Sequence, residues 1–192
     1  GGRGQYGDAT ITIEPNERGS GIEIESKIVG GSIPREFIPA VQKGIQETIQ
    51  GGVLAGYEMI DLKVTIVDGS YHEVDSSEIA FKMAGILATK EAVNKAGAVL
   101  LEPMMKVEAT TPDEYQGDII GDMNRRRGEV EGIDSKSSGT VITAKIPLAT
   151  MFGYATDIRS LSSGRASYSM EPYRFEQVPN SISEEILDKV KK

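Results

Sequence analysis

The chain has 192 residues, of which 21 are Lys or Arg and 29 are Asp or Glu, so its formal net charge at pH 7 is -8. It contains no Cys and a single His, which excludes disulfides, Cys nucleophiles, thiolate zinc sites and metal sites that need two histidines. The acidic balance argues against non-specific adhesion to nucleic acid or anionic lipid, because such adhesion depends on many Lys and Arg contacts. The sequence lacks an apolar run of the roughly 18 residues that span a bilayer and lacks a signal peptide, so we expect a cytoplasmic piece of a longer chain.

The first elements are two strands and a helix. Alternating apolar residues predict strands at Asp8–Pro15 and at residues 22–29, and the turn-rich residues 16–21 between them predict a hairpin. A loop over residues 30–38 follows. Pro39 is suited to the first position of a helix, which we expect to end at a pair of glycines twelve residues later.

A second loop lies between the next strand and the next helix. Alternation predicts a strand over residues 58–67 and a loop over residues 68–74. Asp75 and Glu78 have the spacing of a capping box, and Gly97 is the expected end of the helix. The residues expected to face the core from this helix are Ile79, Met83, Ile86 and Val93.

The second half has the element order β-α-β-β-α-β, which is typical of a ferredoxin-like sandwich. Thr111, followed three residues later by Glu114, is expected to cap its first helix. Pro172 in its last strand indicates an edge position or a bulge. The predicted elements are a strand near residues 105–109, a helix over 112–127, strands over 129–134 and 141–146, a helix over 147–160, a strand over 165–175 and a tail helix over 181–192.

Two nucleotide-binding motifs can be tested directly. Residues 2–7 fit G-x-G-x-x-G, but the dinucleotide fingerprint needs a strand before it and a helix after it, and here a strand follows. A flexible linker is the better interpretation. The sequence contains no G-x-x-x-x-G-K-[ST], so this chain cannot hold a nucleoside triphosphate in a P-loop.

His72 is the one candidate for acid–base chemistry. With Ser70 or Ser76 as nucleophile, and Glu73 or Asp75 to orient the imidazole, it would form a hydrolase site. Neighbours this close along a loop seldom converge as a triad, and no G-x-S-x-G elbow is present. An exposed loop histidine and a contact histidine are the other interpretations.

The two loops could form a contact surface. Residues 69–73 end near a helix N-terminus, where free backbone N–H groups favour phosphate or a polar RNA edge. Tyr and His side chains can stack on bases or donate to a 2′-hydroxyl, and residues 30–34 would add backbone donors if both loops lie at one end of the sheet. Ordinary turn chemistry explains both loops equally well at this point.

Arg125, Arg126 and Arg127 have two interpretations. They could bind phosphate, or they could be a solvated helix end in which Asp118 and Asp122 form i,i+4 pairs with them. The sequence leaves both open.

Six motifs occur in order along the whole chain: GGRGQYG, SYHEVDSSE, LLEPMMKVE, GDIIGDMNRRRG, MFGYATDIRS and GRASYSM. Together they resemble the last two domains of the elongation factor G family of ribosomal translocases. The resemblance implies an α+β chain whose first domain, residues 1–99, corresponds to the fourth domain of the family. That domain is similar to the second domain of ribosomal protein S5 and has an unusual crossover. It implies a ferredoxin-like fifth domain over residues 100–177 and a tail helix, residues 178–192, that returns to the first domain.

The resemblance also implies a function. In the family the tip of the fourth domain enters the decoding centre of the small ribosomal subunit beside the messenger–tRNA duplex, and the fifth domain lies near the GTPase-associated centre of the large subunit. This chain would not itself be an enzyme, since GTP and Mg²⁺ would bind in an absent N-terminal domain of the parent GTPase. The residues to which the resemblance assigns RNA or ribosome contacts are Gly30, Gly31, Ser32, Ile33, Pro34, Ser70, Tyr71, His72, Glu73, Val74, Asp75, Arg125, Arg126, Arg127 and Arg165.

Some positions depart from the family pattern. Glu73 stands where Asp is common, Asp8 stands where His is frequent, and Ser32 and Arg35 vary the first loop. These departures leave open a ribosome-recycling or specialised paralogue. A stand-alone RNA or protein interaction module and a hydrolase that depends on His72 are the alternatives from other classes.

Overall fold

The structure, a computed structural model, describes residues 4–191. It confirms the predicted α+β class, with two sheets and five α-helices among the described residues. The chain divides into two compact units, one formed by residues up to Val99 together with those from Glu184, the other by Leu100–Ser183. None of the helices in the described range is long and apolar enough to cross a membrane.

The first unit holds a three-stranded sheet in the order β1-β3-β2. Strand β1 is antiparallel to β3, whereas β2 is parallel to it. A short 3₁₀ turn, Arg35–Phe37, lies within the region predicted as loop and leads directly into α1. The elements are β1 (Asp8–Pro15), β2 (Ile22–Ser26), α1 (Ile38–Gly51), β3 (Leu62–Ser70) and α2 (Glu78–Ala96).

The predicted hairpin between β1 and β2 is wrong, because β3 lies between them. Asp61, just before β3, holds the connecting segment: its carboxylate accepts hydrogen bonds from the backbone N–H groups of Gly19 at 3.1 Å and Gly21 at 2.9 Å. Its backbone oxygen accepts one from Asn16 at 2.8 Å. The central residues of β3 are buried on both faces, a pattern of an interior strand.

Helix α2 packs against α1 through small residues. A Cβ atom on Gly44 would lie 2.2 Å from the backbone oxygen of Lys82, and one on Gly85 would lie 2.4 Å from that of Val41, so only glycine permits this approach. The predicted core stripe of α2 is wrong in its first half, where Ile79 is 73 % exposed and Met83 is 47 % exposed. The residues of α2 that are buried are Ala80, Phe81, Ala84, Gly85, Thr89 and Val93.

The ends of α2 follow local chemistry only in part. Gly97 terminates the helix in the left-handed region, as predicted. The cap at the start is Ser77, whose hydroxyl accepts a hydrogen bond from the Ala80 N–H at 3.2 Å. The predicted capping box beginning at Asp75 is wrong.

The second unit is a four-stranded sheet in the order β5-β6-β4-β7, with every neighbouring pair antiparallel. This order, with a helix after β4 and another after β6, confirms the predicted ferredoxin-like arrangement. The elements are β4 (Leu101–Thr111), α3 (Gln116–Arg125), β5 (Glu129–Lys136), β6 (Gly139–Pro147), α4 (Tyr154–Leu161) and β7 (Ser167–Gln177). Helix α5 (Asn180–Lys191) follows, and its residues from Glu184 onward belong to the first unit.

The backbone tests three local predictions for this unit. Pro172 lies in edge strand β7 next to a register shift, so the predicted edge or bulge is confirmed. Thr111 is the last residue of β4 and caps no helix; a 3₁₀ turn at Asp113–Tyr115 precedes α3 without a side-chain cap. The helix predicted from residue 147 begins as α4 only at Tyr154: a 3₁₀ turn over Leu148–Thr150 comes first, and Gly153, with φ 73°, is the residue that precedes α4.

Candidate functional site

The two predicted contact loops lie side by side in the first unit. We call residues 30–34 the glycine loop and residues 70–75 the histidine loop. Strands β2 and β3 are parallel, with Ser26 opposite Ile66, so both loops follow the same end of the sheet. Ile33 lies against Gly69, where an added Cβ would be 2.5 Å from the Ile33 Cδ1 atom. The fold therefore brings the two loops together at one end of the unit.

The glycine loop presents backbone to solvent. Gly30 and Gly31 both have φ of 77°, in the left-handed region that favours glycine, and a Cβ on either would meet nothing within 4 Å. Ile33 is 0 % exposed and belongs to the core. Its predicted role as a contact residue is replaced by that of an anchor that holds the loop against the sheet.

The histidine loop presents side chains. Tyr71 is 43 % exposed and Val74 is 67 % exposed, and His72 and Glu73 between them are also exposed. Ser76, which directly follows the loop, closes it: the Ser76 N–H donates to the His72 oxygen at 3.0 Å, and the Ser76 hydroxyl accepts a hydrogen bond from the His72 N–H at 2.9 Å. These hydrogen bonds hold the backbone of His72, while its side chain stays exposed.

The segment before β1 lies along the histidine loop. One Asp75 carboxylate oxygen accepts a hydrogen bond from the Gly4 N–H at 2.8 Å, and the Asp75 backbone oxygen accepts one from the Tyr6 N–H at 2.9 Å. The Ser77 hydroxyl donates to the Gln5 side-chain oxygen at 3.0 Å. Asp75 thus links the histidine loop to the segment before β1, 71 residues away in sequence.

Tyr6 is the neighbour of His72 that sequence reasoning missed. The centroids of the two rings are 4.3 Å apart, with their planes tilted by 50°. The Tyr6 hydroxyl lies 2.6 Å from the Ser70 hydroxyl. The available signal was the motif G-Q-Y-G ahead of β1, which we interpreted only as a linker; Gly7 within it also lies so close to α2 that a Cβ would be 2.7 Å from the Ala80 backbone oxygen.

The arrangement does not support a hydrolase. The Ser70 hydroxyl donates to the Asp8 carboxylate at 2.9 Å, and the Ser76 hydroxyl donates to the Tyr6 backbone oxygen at 3.0 Å. Each candidate nucleophile therefore uses its one proton on an acceptor other than the His72 imidazole. The site can offer hydrogen bonds and ring surface, but neither serine is activated by the histidine.

The arginine cluster in the second unit splits into buried and exposed members. Arg126 is 6 % exposed and donates to the Asp122 carboxylate at 2.9 Å, to the Phe152 backbone oxygen at 3.0 Å and to Asp157. Arg126 is therefore part of a buried ion pair. Its burial contradicts both predictions made for it, that it contacts phosphate and that it lies at a solvated helix end. Arg125 keeps an exposed side chain, although it also pairs with Asp122.

Arg127 is also occupied within the unit. It donates two hydrogen bonds to the Glu102 carboxylate, at 2.7 and 3.0 Å, and this hydrogen bonding raises the pKa of the Arg127 guanidinium. Arg165 has a side chain that is 58 % exposed and donates to Glu114 at 2.7 Å. Among the four arginines predicted as contacts, Arg125 and Arg165 have the most exposed side chains.

Comparisons with known proteins identify the family. The family model described as elongation factor G, domain IV, matches residues 1–97, and that described as elongation factor G C-terminus matches residues 99–186. A crystal structure of a protein from Thermus thermophilus is similar with a TM-score of 0.81 and 36 % sequence identity. That similarity covers 100 % of this chain but only 28 % of the Thermus chain. The chain belongs to the elongation factor G family and carries its domain IV and C-terminal domain.

Proposed function

We propose that this chain is the ribosome-contacting part of a translation GTPase that promotes GTP-dependent movement of tRNA and mRNA. The observation that carries the proposal is the pairing of the glycine and histidine loops at one end of the first unit, with backbone presented by one and His72 by the other. In this proposal the paired loops enter the small-subunit decoding centre beside the messenger–tRNA duplex. GTP and Mg²⁺ belong to the N-terminal domain of the parent protein.

The chemistry of the loops suits RNA. RNA exposes 2′-hydroxyls and base edges in a shallow minor groove, and unstacked bases can stack on aromatic side chains. The rings of Tyr71 and His72 can stack or hydrogen-bond, while Gly30 and Gly31 let a ligand approach the backbone without side-chain bulk. Shape and hydrogen bonds therefore provide the contact.

Charge contributes little at this site. Asp68, Glu73 and Glu78, which are exposed, surround His72 in sequence, so few counterions would be released from RNA on binding. The affinity for the ribosome must then come mainly from other domains. We expect the isolated chain to bind ribosomes weakly and with a shallow salt dependence; nanomolar binding with a steep salt dependence would contradict this.

The second unit would supply a further contact. Arg125 and Arg165 are the exposed cations of the predicted set, and we propose that they face the GTPase-associated centre of the large subunit. Arg126 is excluded from this role because its guanidinium is buried in its ion pairs. Arg127 is less exposed than Arg125 and Arg165, and its guanidinium is held by two hydrogen bonds to Glu102.

The test uses a full-length factor that carries this chain. We expect His72→Ala to slow tRNA movement by about five- to hundredfold, the range expected for losing one base–aromatic stack, while ribosome-stimulated GTP hydrolysis is nearly retained. Asn94→Ala, an exposed polar change on α2, is the matched control and should alter neither rate. An equal loss of translocation and GTP hydrolysis in His72→Ala would contradict the proposal.

A recycling or specialised paralogue is the second candidate, because Glu73 and Asp8 depart from the family pattern in and beside the histidine loop. A subunit-splitting assay run beside the translocation assay separates the two. A factor that splits subunits without moving tRNA would have the recycling function.

A further inference from the structure

We propose that Tyr6 is a positioning residue for the histidine loop: its ring fixes the orientation of the His72 imidazole, and its backbone holds the end of the loop. The inference deepens the proposed function and rests on it for the role of His72 on the ribosome. The orientation of the ring itself is independent of that role.

The ring contact is the first step. The centroids of Tyr6 and His72 lie 4.3 Å apart at a tilt of 50°, within the range of favourable aromatic pairs. His72 is exposed, so without this contact its side chain would sample several rotamers in solvent. A neighbouring ring that occupies one side of the imidazole leaves the other side to a ligand.

Tyr6 is itself held in place by a directional chain of hydroxyls. The Ser70 hydroxyl donates to the Asp8 carboxylate at 2.9 Å, and a hydroxyl has only one proton, so the Tyr6 hydroxyl must donate across the 2.6 Å contact with Ser70. The chain runs from Tyr6 through Ser70 to the charge on Asp8. The first residue of β1, Asp8, lies opposite the last residue of β3, Ser70. The hydroxyl chain therefore links the tyrosine ring to both strands.

The backbone of Tyr6 completes the support. Its N–H donates to the Asp75 oxygen at 2.9 Å, and its oxygen accepts from the Ser76 hydroxyl at 3.0 Å. That same hydroxyl accepts the His72 N–H at 2.9 Å. Ser76 therefore bridges the backbone of Tyr6 to the backbone of His72, so the tyrosine holds the histidine through both its ring and its main chain.

The chain offers a direct test of the ring contact. His72 is its only histidine, so the ring resonances in an NMR spectrum of the 192-residue chain need no further assignment. We expect cross-relaxation between the Tyr6 and His72 ring protons in the unaltered chain. We also expect His72 ring shifts that move toward those of free histidine in Tyr6→Leu, and much less in Tyr6→Phe, which keeps the ring and loses only its hydrogen bond to Ser70. Tyr57→Leu, at a 60 % exposed tyrosine elsewhere in the first unit, is the matched control.

The functional test is a double-mutant cycle in the full-length factor. We expect Tyr6→Leu to slow tRNA movement by about two- to tenfold, the factor that corresponds to one aromatic pair, and Tyr6→Phe to stay within about twofold of the unaltered factor. In the His72→Ala background, Tyr6→Leu should cause no further slowing, because Tyr6 acts through His72.

Three results would overturn the inference: no cross-relaxation between the two rings, His72 shifts that are unchanged in Tyr6→Leu, or single-mutant effects that multiply in the double mutant. The first needs no variant and stands even if Tyr6→Leu fails to fold. If His72→Ala leaves tRNA movement unchanged, the proposed function fails, while the NMR measurements still decide whether Tyr6 orients the ring.

Discussion

The contact between α1 and α2 is so close that replacing one glycine should reverse the usual preference for alanine in a helix. Alanine is more favourable than glycine in a helix interior by about 1 kcal/mol. At Gly44, however, the new Cβ would lie 2.2 Å from the Lys82 backbone oxygen and 3.1 Å from the Ile86 nitrogen. Ordinary van der Waals contact of a Cβ atom begins at 3.4 Å, more than 1 Å beyond the distance to the Lys82 oxygen. The two helices must therefore move apart to admit the methyl group.

The loss of stability depends on whether the new Cβ atom meets backbone or the flexible end of a side chain. Overpacking a core costs about 1–3 kcal/mol, and a backbone oxygen cannot rotate away as the end of a side chain can, so the upper end applies. After the gain in helix propensity, we expect Gly44→Ala to lower the free energy of unfolding of the first unit by about 2 kcal/mol. Gly51, in the same helix, meets nothing within 4 Å, so Gly51→Ala should be neutral or stabilising by up to about 1 kcal/mol.

The assay must report on the first unit alone, because a chain of two units need not unfold in one step. Hydrogen–deuterium exchange across a urea series, followed in peptides from α1 and α2, meets this need, and peptides from α3 serve as the internal reference. If Gly44→Ala were as stable as Gly51→Ala, the close helix contact would be refuted. Since α1 follows the glycine loop and α2 follows the histidine loop, we also expect faster exchange in both loops of the Gly44 variant.

Three further predictions concern the interior of the second unit. The Tyr154 hydroxyl is buried and has no hydrogen-bond partner among the described residues, so Tyr154→Phe should raise the free energy of unfolding by about 1 kcal/mol in urea denaturation. Burial raises the pKa of Tyr154 to about 12; the unfolded chain therefore loses this proton first, and the unaltered protein should lose about 2–3 kcal/mol of stability between pH 10 and 12 relative to Tyr154→Phe. A pH series in which both proteins decline in parallel would contradict that assignment. Asp122→Ala removes one of the two carboxylates that pair with buried Arg126 and should cost about 3 kcal/mol, the low end for a broken buried pair, because Asp157 remains. Asp118→Ala, at an exposed residue one turn earlier in α3, should cost less than about 1 kcal/mol, and similar melting curves for the two variants would argue against the buried ion pair.

Periodicity predicted the ferredoxin-like unit well because its central strands, β4 and β6, and its helices, α3 and α4, each have one buried face. The alternation in β4 and β6 places Val107, Ala109 and Ile142 in the core, where the structure has them at 0 % exposure. The first unit was harder. The order β1-β3-β2 depends on burial of β3 on both faces, which a hairpin rule applied to neighbouring strands cannot detect.

The cap of α2 shows why local motifs fail even when their residues are correct. Asp75, Ser76 and Ser77 all have side chains that can cap a helix. Asp75 is used by the Gly4 N–H, and Ser76 by the backbones of Tyr6 and His72, which leaves Ser77 to accept the Ala80 N–H. The choice depends on a segment about 70 residues away, so no window of sequence around the helix could have made it.

The same dependence on distant segments explains how a single exposed histidine can be held at a defined position. The histidine loop is fixed by the segment before β1, while the glycine loop is fixed by Ile33 in the core. The exposed residues His72 and Gly31 make few contacts of their own, and each takes its position from neighbours distant in sequence. Substitutions in the buried supports should therefore change the contact as strongly as substitutions in the loops themselves, and an interpretation confined to exposed loop residues would miss them.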